Sequence, residues 1–291
     1  MFPPPSNLKN YLGELKPCII CNGNNLIKFA NIDYLEAKKC LDCGMISVNP
    51  HLNSQGLSII YKNYFNKRLS EDQKTLFEKR KIMYKLDHDW ITKFIDSGKI
   101  LDVGSSGGQF LSHFDSTKWE RLGVEIDEDA AQFAESEFDI PIKIGYLPEM
   151  NFEEKFDLIV IRGVIEHFSD PISVLKKCTD ILNSNGFLFI TATPVGNSFA
   201  FEVYREKWHL FDPLTHIHFF SVDLLSKILK KYGMSLIEQH YQYLETPYAN
   251  PDDDFAKIQR DIILISQNKK NEIKHSVSFP GSMMTAVWQK N

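Results

Sequence analysis

The chain has 291 residues, 43% hydrophobic and 24% charged, the composition of a folded globular protein with one large or two modest domains. A formal net charge of −5 gives no general attraction to a phosphate backbone, which makes nucleic acid a minority reading, and no run approaches the roughly eighteen consecutive apolar residues of a membrane span. The start, MFPPPSNLKN, lacks the charged-then-apolar pattern of a secretory signal, which points to the cytoplasm.

Four of the five cysteines form two tight pairs, Cys18-x2-Cys21 and Cys40-x2-Cys43, each followed closely by a glycine, Gly23 and Gly44. In a chain without a signal this spacing suits a metal better than disulfides, and four thiolates close a tetrahedral zinc shell. With no coordination position open, the expected zinc is structural, and binding it supplies folding energy that a module over residues 1–56 lacks by itself. From 57 to 98 the pattern turns helical, with Tyr61, Tyr64, Phe65, Leu76, Phe77, Met83, Tyr84, Trp90 and Phe94 spaced among charged residues, and predicts a helical bridge or lid.

After Gly98 short aliphatic runs alternate with amphipathic helices, the sign of βαβ units and hence of a doubly wound α/β sheet. Strands are predicted over Lys99–Val103, Arg121–Glu125, Ile142–Ile144, Leu158–Ile161 and Phe187–Thr191. A helix over Pro171–Leu182 has Asp170 to cap it, Pro171 at its first position, Leu175, Cys178 and Leu182 on one face, and Asn185-Gly186 to end it. A second helix, Val222–Tyr232, follows Ser221 and stops at Gly233 before a strand over Met234–Tyr243. Asp252–Asp254 open another helix, and Met283–Trp288 reads as the last strand. The core is therefore expected over 99–245, with 246–291 adding a helix and a strand that completes the sheet.

Ile100–Phe110 reads as a strand, a glycine-rich turn and the start of a helix that turns Phe110, Leu111 and Phe114 inward, aiming backbone N–H groups and a helix N-terminus at a ligand. The dinucleotide spacing G-x-G-x-x-G from Gly104 fails at Ser106 and Gln109, and no G-K-[ST] phosphate loop is present. Glu125, 21 residues after Gly104, ends the second predicted strand, where a carboxylate can accept both ribose hydroxyls. A nucleoside without a pyrophosphate fits best.

The run Asp102-Val103-Gly104-Ser105-Ser106-Gly107-Gly108, with Glu125, resembles the first motifs of class I S-adenosylmethionine-dependent methyltransferases. That resemblance implies a Rossmann-like seven-stranded sheet and a site in which Asp102, Gly104, Ser106 and Gly108 hold the methionine end of the cofactor and Glu125 its ribose. Ile126 and Leu147 would line the adenine, although Tyr146 stands where the family often has an acid, and Ser106 replaces a usual glycine. Phe156-Asp157 through Arg162 and on to Glu166-His167-Phe-Ser-Asp170-Pro171 is similar to the family's F-D-x-I…E-H-x-x-D-P segment, which adds Arg162 as a cofactor contact and His167 as a candidate base. The metal-binding E-x-x-E-H variant is broken by Gly163, so a catalytic metal is not expected.

Trp208-His209 through Asp212-Pro213, His216, His218, Phe219-Phe220 and Ser221 resembles a stretch of methyltransferases from glycan and sugar pathways. It implies a small polar acceptor, a sugar or nucleotide-linked sugar, and gives His216 an acceptor-lining role; rings interleaved with imidazoles suit such a molecule. His209 and His218 are as well explained by packing. Gly44–Pro50 also resembles the C-G-x-x-x-x-N-P run joined to such methyltransferase cores. The expected reaction is O-methylation of a sugar, with carbon or amine methylation, RNA methylation and a non-catalytic scaffold as alternatives. Oligomeric state is open.

Overall fold

The computed structural model describes residues 5–62, 64–68 and 74–291. Residues 63 and 69–73 of the expected bridge, and the side chains of Tyr64 and Phe77 on it, lie outside that description. In chain order the elements are β1 (Leu26–Ile32), β2 (Leu35–Cys40), β3 (Ile46–Val48), α1 (Ser54–Tyr61), α2 (Tyr64–Arg68), α3 (Lys74–Ile91), β4 (Gly98–Val103), β5 (Trp119–Glu125), α4 (Glu128–Phe138) and β6 (Ile142–Ile144). They continue as β7 (Phe156–Arg162), α5 (Pro171–Ile181), β8 (Leu182–Pro194), α6 (Phe199–Tyr204), β9 (His218–Phe219), α7 (Val222–Lys230), β10 (Met234–His240), α8 (Pro251–Ser266) and β11 (Met283–Lys290). Among the described residues no helix is long and apolar enough to cross a membrane.

Contacts group these elements into two units that do not follow the four sequence intervals. One joins Met1–Lys62, Pro194–Leu224 and Tyr241–Met284; the other joins Asn63–Thr193, Leu225–His240 and Thr285–Asn291. The second unit carries the seven-stranded sheet in the order β10-β11-β8-β7-β4-β5-β6. Strands β8, β7, β4, β5 and β6 are mutually parallel, and β10 pairs antiparallel with β11. The middle strands are near-continuous apolar runs because both faces of a parallel sheet are covered: Ile100, Leu101, Leu158, Ile159, Val160 and Ile161 are all fully buried. The chain leaves β4 toward β5 and β6, then returns to build β7 and β8 on the other side. That reversal puts the crevice at the carboxyl ends of β4 and its neighbours.

The cap predicted at Asp170 forms as expected: it accepts from the Ser173 amide at 3.1 Å with Pro171 at the first helical position. Helix α4, for which no cap was predicted, is capped by Asp127, which accepts from the Ala130 amide. The end of α5 differs from expectation. Leu182 is already extended (φ −84, ψ 140) and begins β8, so Asn185, at φ +62, and Gly186 lie inside the strand. Pairing of Leu182 with Phe156 on β7 takes the chain straight from helix to sheet, which removes the need for a glycine stop. Strand β10 likewise ends at His240, three residues short of Tyr243, whose hydroxyl instead donates to Asp254 at 2.8 Å.

The first unit holds the antiparallel sheet β1-β2-β3-β9 over a core of Phe29, Leu35, Val48, Phe201, Trp208, Phe211, Ile217 and Phe219. Phe201 stacks on Trp208 with centroids 4.5 Å apart, and the Arg205 guanidinium lies 3.7 Å from the Phe29 centroid. The aromatic residues at 208–220 that suggested an acceptor platform are thus core: Trp208, Phe211 and Phe220 are fully buried. Helix α8 packs with an acidic inner face, where Asp261 accepts from Tyr204 Oη at 3.1 Å and pairs with Lys257 at 2.5 Å.

Gly196 ties β8's exit to β9: its amide donates to the Phe220 carbonyl at 2.7 Å, and a Cβ there would sit 2.1 Å from the Phe219 carbonyl oxygen. A backbone atom cannot yield as a flexible side chain does. Gly196→Ala is expected to cost about 1–3 kcal/mol, read as a lowered denaturant midpoint, whereas the exposed Ala256→Gly should cost no more than about 1 kcal/mol.

Candidate cofactor and metal sites

The glycine loop begins where β4 ends. Gly104 (φ +74) turns the chain so that its own amide and that of Ser105 donate to the Val124 carbonyl at 2.8 and 3.1 Å, and a Cβ at Gly104 would lie 2.8 Å from the Val164 methyls. Gly108 (φ +73) brings the loop so close to α4 that a Cβ would meet Ala134 at 2.9 Å. Ser106 adopts φ +50, a left-handed conformation that glycine would take more cheaply, and its amide donates to Glu125 Oε2 at 2.8 Å. Glu125 Oε1 accepts from the Ile126 and Asp127 amides at 2.7 and 3.1 Å. Three backbone donors therefore fix the carboxylate at the end of β5, adjoining Ile126, which is 59% exposed and so open to a ligand ring. Leu147, in a 3-10 turn after β6, is buried.

The helix expected after the loop does not form. Only Leu111–His113 coil, as one 3-10 turn, although Phe110, Leu111 and Phe114 face inward as predicted. Positive φ at Gly108 interrupts any helical run, and ring packing of Phe110 on Phe114 and Phe114 on Trp119, at 5.4 and 5.2 Å, holds a compact turn instead. The polar groups offered here are loop amides rather than a helix terminus. Helix α2, within the expected lid, covers this loop: the Phe65 ring lies 2.7 Å from where a Gly107 Cβ would be, and Asn66 donates to Asp129 at 2.8 Å.

Asp102 is the electrostatic centre of the loop. It is fully enclosed, Oδ1 has no hydrogen-bond partner among the described residues, and burial pushes its carboxyl up to about 7, with Arg162 opposing and Glu125 adding to the rise. An orphaned buried acceptor beside loop amides fits a ligand ammonium group, the group at the methionine end of S-adenosylmethionine. Arg162, ending β7, donates from Nε to Asp87 Oδ2 at 2.8 Å, and its guanidinium carbon lies 4.5 Å from the Tyr84 centroid. Asp87 escaped the sequence reading, whereas Tyr84 and Phe65 entered it only as apolar positions of the helical bridge or lid. The signal for Asp87 was an acid in line with the apolar face of its helix, three residues after Tyr84 and four before Ile91.

His167 closes the 3-10 turn Ile165–His167, its Nε2 3.8 Å from Glu166 Oε1. Glu166 is buried, and desolvation pushes its carboxyl up to about 8 against its own backbone amide, Thr193 and Arg162. His216 belongs to the other unit. Its Nδ1 lies 2.9 Å from the Leu210 carbonyl, which can only accept, so Nδ1 carries the proton and the basic lone pair is on Nε2. Burial lowers its pKa, against the Leu210 hydrogen bond and the Asp212 charge, which raise it. His209 is held on Ser276 at 2.9 Å and His218 on Ser47 at 3.0 Å.

The four predicted cysteines converge, with all Sγ atoms within 4.8 Å of one another, and Cys18–Cys43 and Cys21–Cys40 both 3.5 Å apart. A tetrahedral shell with Zn–S near 2.3 Å has S···S edges of about 3.8 Å, so the spacing suits one ion and is far too long for disulfides. Burial raises the Cys18 and Cys43 thiols, while the Gly23 amide lowers Cys21. Cys178 is core, its thiol pushed up to about 12 by burial.

This sheet order and loop define a class I methyltransferase architecture. Residues 77–239 match the family described as a methyltransferase domain, and the chain belongs to that family as an S-adenosylmethionine-dependent methyltransferase. An uncharacterized protein of Methanocaldococcus jannaschii is 26% identical over 60% of this chain and 83% of its own. A tRNA U34 carboxymethyltransferase of Campylobacter hominis and a ubiquinone biosynthesis O-methyltransferase of Glaesserella parasuis are each 30% identical over 32% of the chain, which spans only 35% and 44% of their lengths. Among solved structures, the magnesium protoporphyrin IX methyltransferase of Synechocystis with bound S-adenosylhomocysteine covers 82% of this chain and 96% of its own at TM-score 0.52 and 12% identity. A methyltransferase of Thermotoga maritima covers 78% and 99% at TM-score 0.51 and 16% identity. These structures share the fold.

Because the folded Asp102 carboxyl lies near pH 7 and an unfolded one near 4, its contribution to stability is complete below about pH 4 and is lost as pH rises through about 7, a cost of order 4 kcal/mol. Asp102→Asn is expected to raise the melting temperature of the ligand-free protein at pH 8 but not at pH 4, and to weaken S-adenosylhomocysteine binding. In the wild type that affinity should rise as pH passes through 7, a trend calorimetric titration would show and the variant should lack.

Proposed function

We propose that the enzyme methylates an oxygen of a small polar acceptor, a sugar hydroxyl on a glycan or nucleotide-linked precursor, in the cytoplasm. The observation that carries the cofactor half is the unpartnered oxygen of Asp102 under the glycine loop, with Glu125 fixed at the neighbouring strand end. Asp102, Gly104, Ser106 and Gly108 would hold the methionine end, with Arg162 beside them, Glu125 the ribose, and Ile126 and Leu147 the adenine. The cofactor supplies a sulfonium methyl group to the acceptor oxygen. His167 is assigned the acceptor's proton, and His216, oriented by its Nδ1 contact with the Leu210 carbonyl, is an acceptor-binding imidazole. Catalysis then comes mainly from holding two reactants in line. Cys18, Cys21, Cys40 and Cys43 hold a structural zinc, since four thiolates leave no open position.

The sugar assignment rests on the likeness of residues 208–221 to glycan-pathway enzymes, and oxygen as the methylated atom agrees with the name of the ubiquinone-pathway relative. A second reading, tRNA, is favoured by the U34 carboxymethyltransferases among the relatives and opposed by a net charge of −5. Incubation with radiolabelled S-adenosylmethionine and separate nucleotide-sugar, glycolipid and RNA fractions distinguishes them. Label is expected in a sugar fraction, and His167→Ala is expected to lower turnover by about 10²–10⁴ while leaving S-adenosylhomocysteine affinity unchanged. Label confined to RNA would replace the sugar reading. Metal analysis is expected to give one zinc per chain, and Cys40→Ser, whose parent thiol is buried at 1% exposure, should release it and lower the melting temperature.

A further inference from the structure

We infer that Asp87, on the helix preceding the cofactor loop, is a positioning residue that aims the terminal edge of the Arg162 guanidinium at an anionic group of the cofactor. This rests on the proposed role of Arg162 as a cofactor contact. Asp87 is completely buried and grips the guanidinium through Nε alone, at 2.8 Å. Among the described residues the two terminal nitrogens of Arg162 make no hydrogen bond, although the side chain is only 14% exposed. A guanidinium held at one corner keeps its planar fork of N–H groups for a bidentate partner, and a carboxylate matches that fork.

The support behind Asp87 is built rather than incidental. Its other oxygen, Oδ1, accepts from Thr191 Oγ1 at 2.8 Å, and that hydroxyl is 2.9 Å from Thr285 Oγ1, so both oxygens are fixed before any ligand arrives. Tyr84, one turn earlier on α3, lies under the guanidinium plane at 4.5 Å, and Phe110 at the end of the glycine loop is 5.8 Å away. Arg162 follows Ile161, which pairs with Val103 on β4, and so lies level with the start of the glycine loop. Asp102, with its unpartnered oxygen, is two residues back on β4. One acid short of a donor and one cation with spare donors at adjoining strand ends match the two charges of an α-amino acid group: ammonium to Asp102, carboxylate to Arg162. Asp87 does not touch the ligand; it sets where the fork points.

Two ligands separate positioning from general structural support. S-adenosylhomocysteine carries the amino acid end, whereas 5′-methylthioadenosine has the same nucleoside without it. At pH 8, Asp87→Asn is expected to raise the S-adenosylhomocysteine dissociation constant about tenfold and to change that of 5′-methylthioadenosine less than about twofold, by calorimetry. In an Arg162→Met background the Asp87→Asn effect should vanish. If Asp87→Asn does not fold, Thr191→Val, which unties the carboxylate from the other side, is expected to show the same selective loss. Equal weakening of both ligands, or no weakening of either, would overturn the positioning role. Unchanged S-adenosylhomocysteine affinity in Arg162→Met would instead remove Arg162 from the cofactor site and take the proposal with it.

Discussion

A carboxylate enclosed at the end of a parallel strand, with one oxygen lacking a donor, is costly to ionise, and the surroundings of Asp102 are organised around that cost. Strands β4 and β7 flank it with buried aliphatic side chains, the glycine loop begins two residues after it, and Arg162 supplies the opposing charge. A water-filled site would satisfy the carboxylate cheaply and leave little reason for a ligand cation to bind. Here the unsatisfied acceptor is stored in the fold, where a ligand cation would relieve it.

The same logic extends outward in steps. Arg162 balances Asp102 and Glu166 but would itself be stranded without Asp87, and Asp87 in turn is braced by Thr191 and Thr285 from the sheet. Each buried polar group is tolerable because the next one answers it. Glu166, only partly answered by Thr193, carries a carboxyl pushed up to about 8 and is predominantly protonated at neutral pH. That acid adjoins His167, whose Nε2 lies 3.8 Å from its Oε1.

Features that depend on local chemistry were legible in the sequence. The aliphatic runs marked the central strands, Asp170-Pro171 marked a helix start, the paired cysteines marked four thiols that converge, and the glycine run marked the turn after β4 to which Glu125 is tied. Features decided by distant partners were not. The helix after Gly108 was lost to a backbone conformation and to ring packing of Phe110, Phe114 and Trp119. The stop of α5 was displaced by pairing with Phe156 on another strand. The aromatic residues near 208–220 look the same in sequence whether they line a pocket or fill a core, and only the sheet over Phe29, Leu35 and Val48 shows that they fill one. Asp87 required knowing which side of α3 meets the sheet.

The short pairing of β3 with β9 sets an order of events during synthesis. Ser47 and His218, directly opposite in that ladder, are separated by 171 residues of chain. At about 5–20 residues per second, the ribosome releases the first of them roughly ten seconds or more before the second exists. Through that interval β1, β2 and β3 have one flank without its β9 partner, the condition in which a nascent sheet recruits foreign strands. The two cysteine pairs, by contrast, are complete once residue 43 has emerged. Closing a metal shell at that stage would hold the early hairpin in register as a chaperone would, until the strand that completes its sheet has been made.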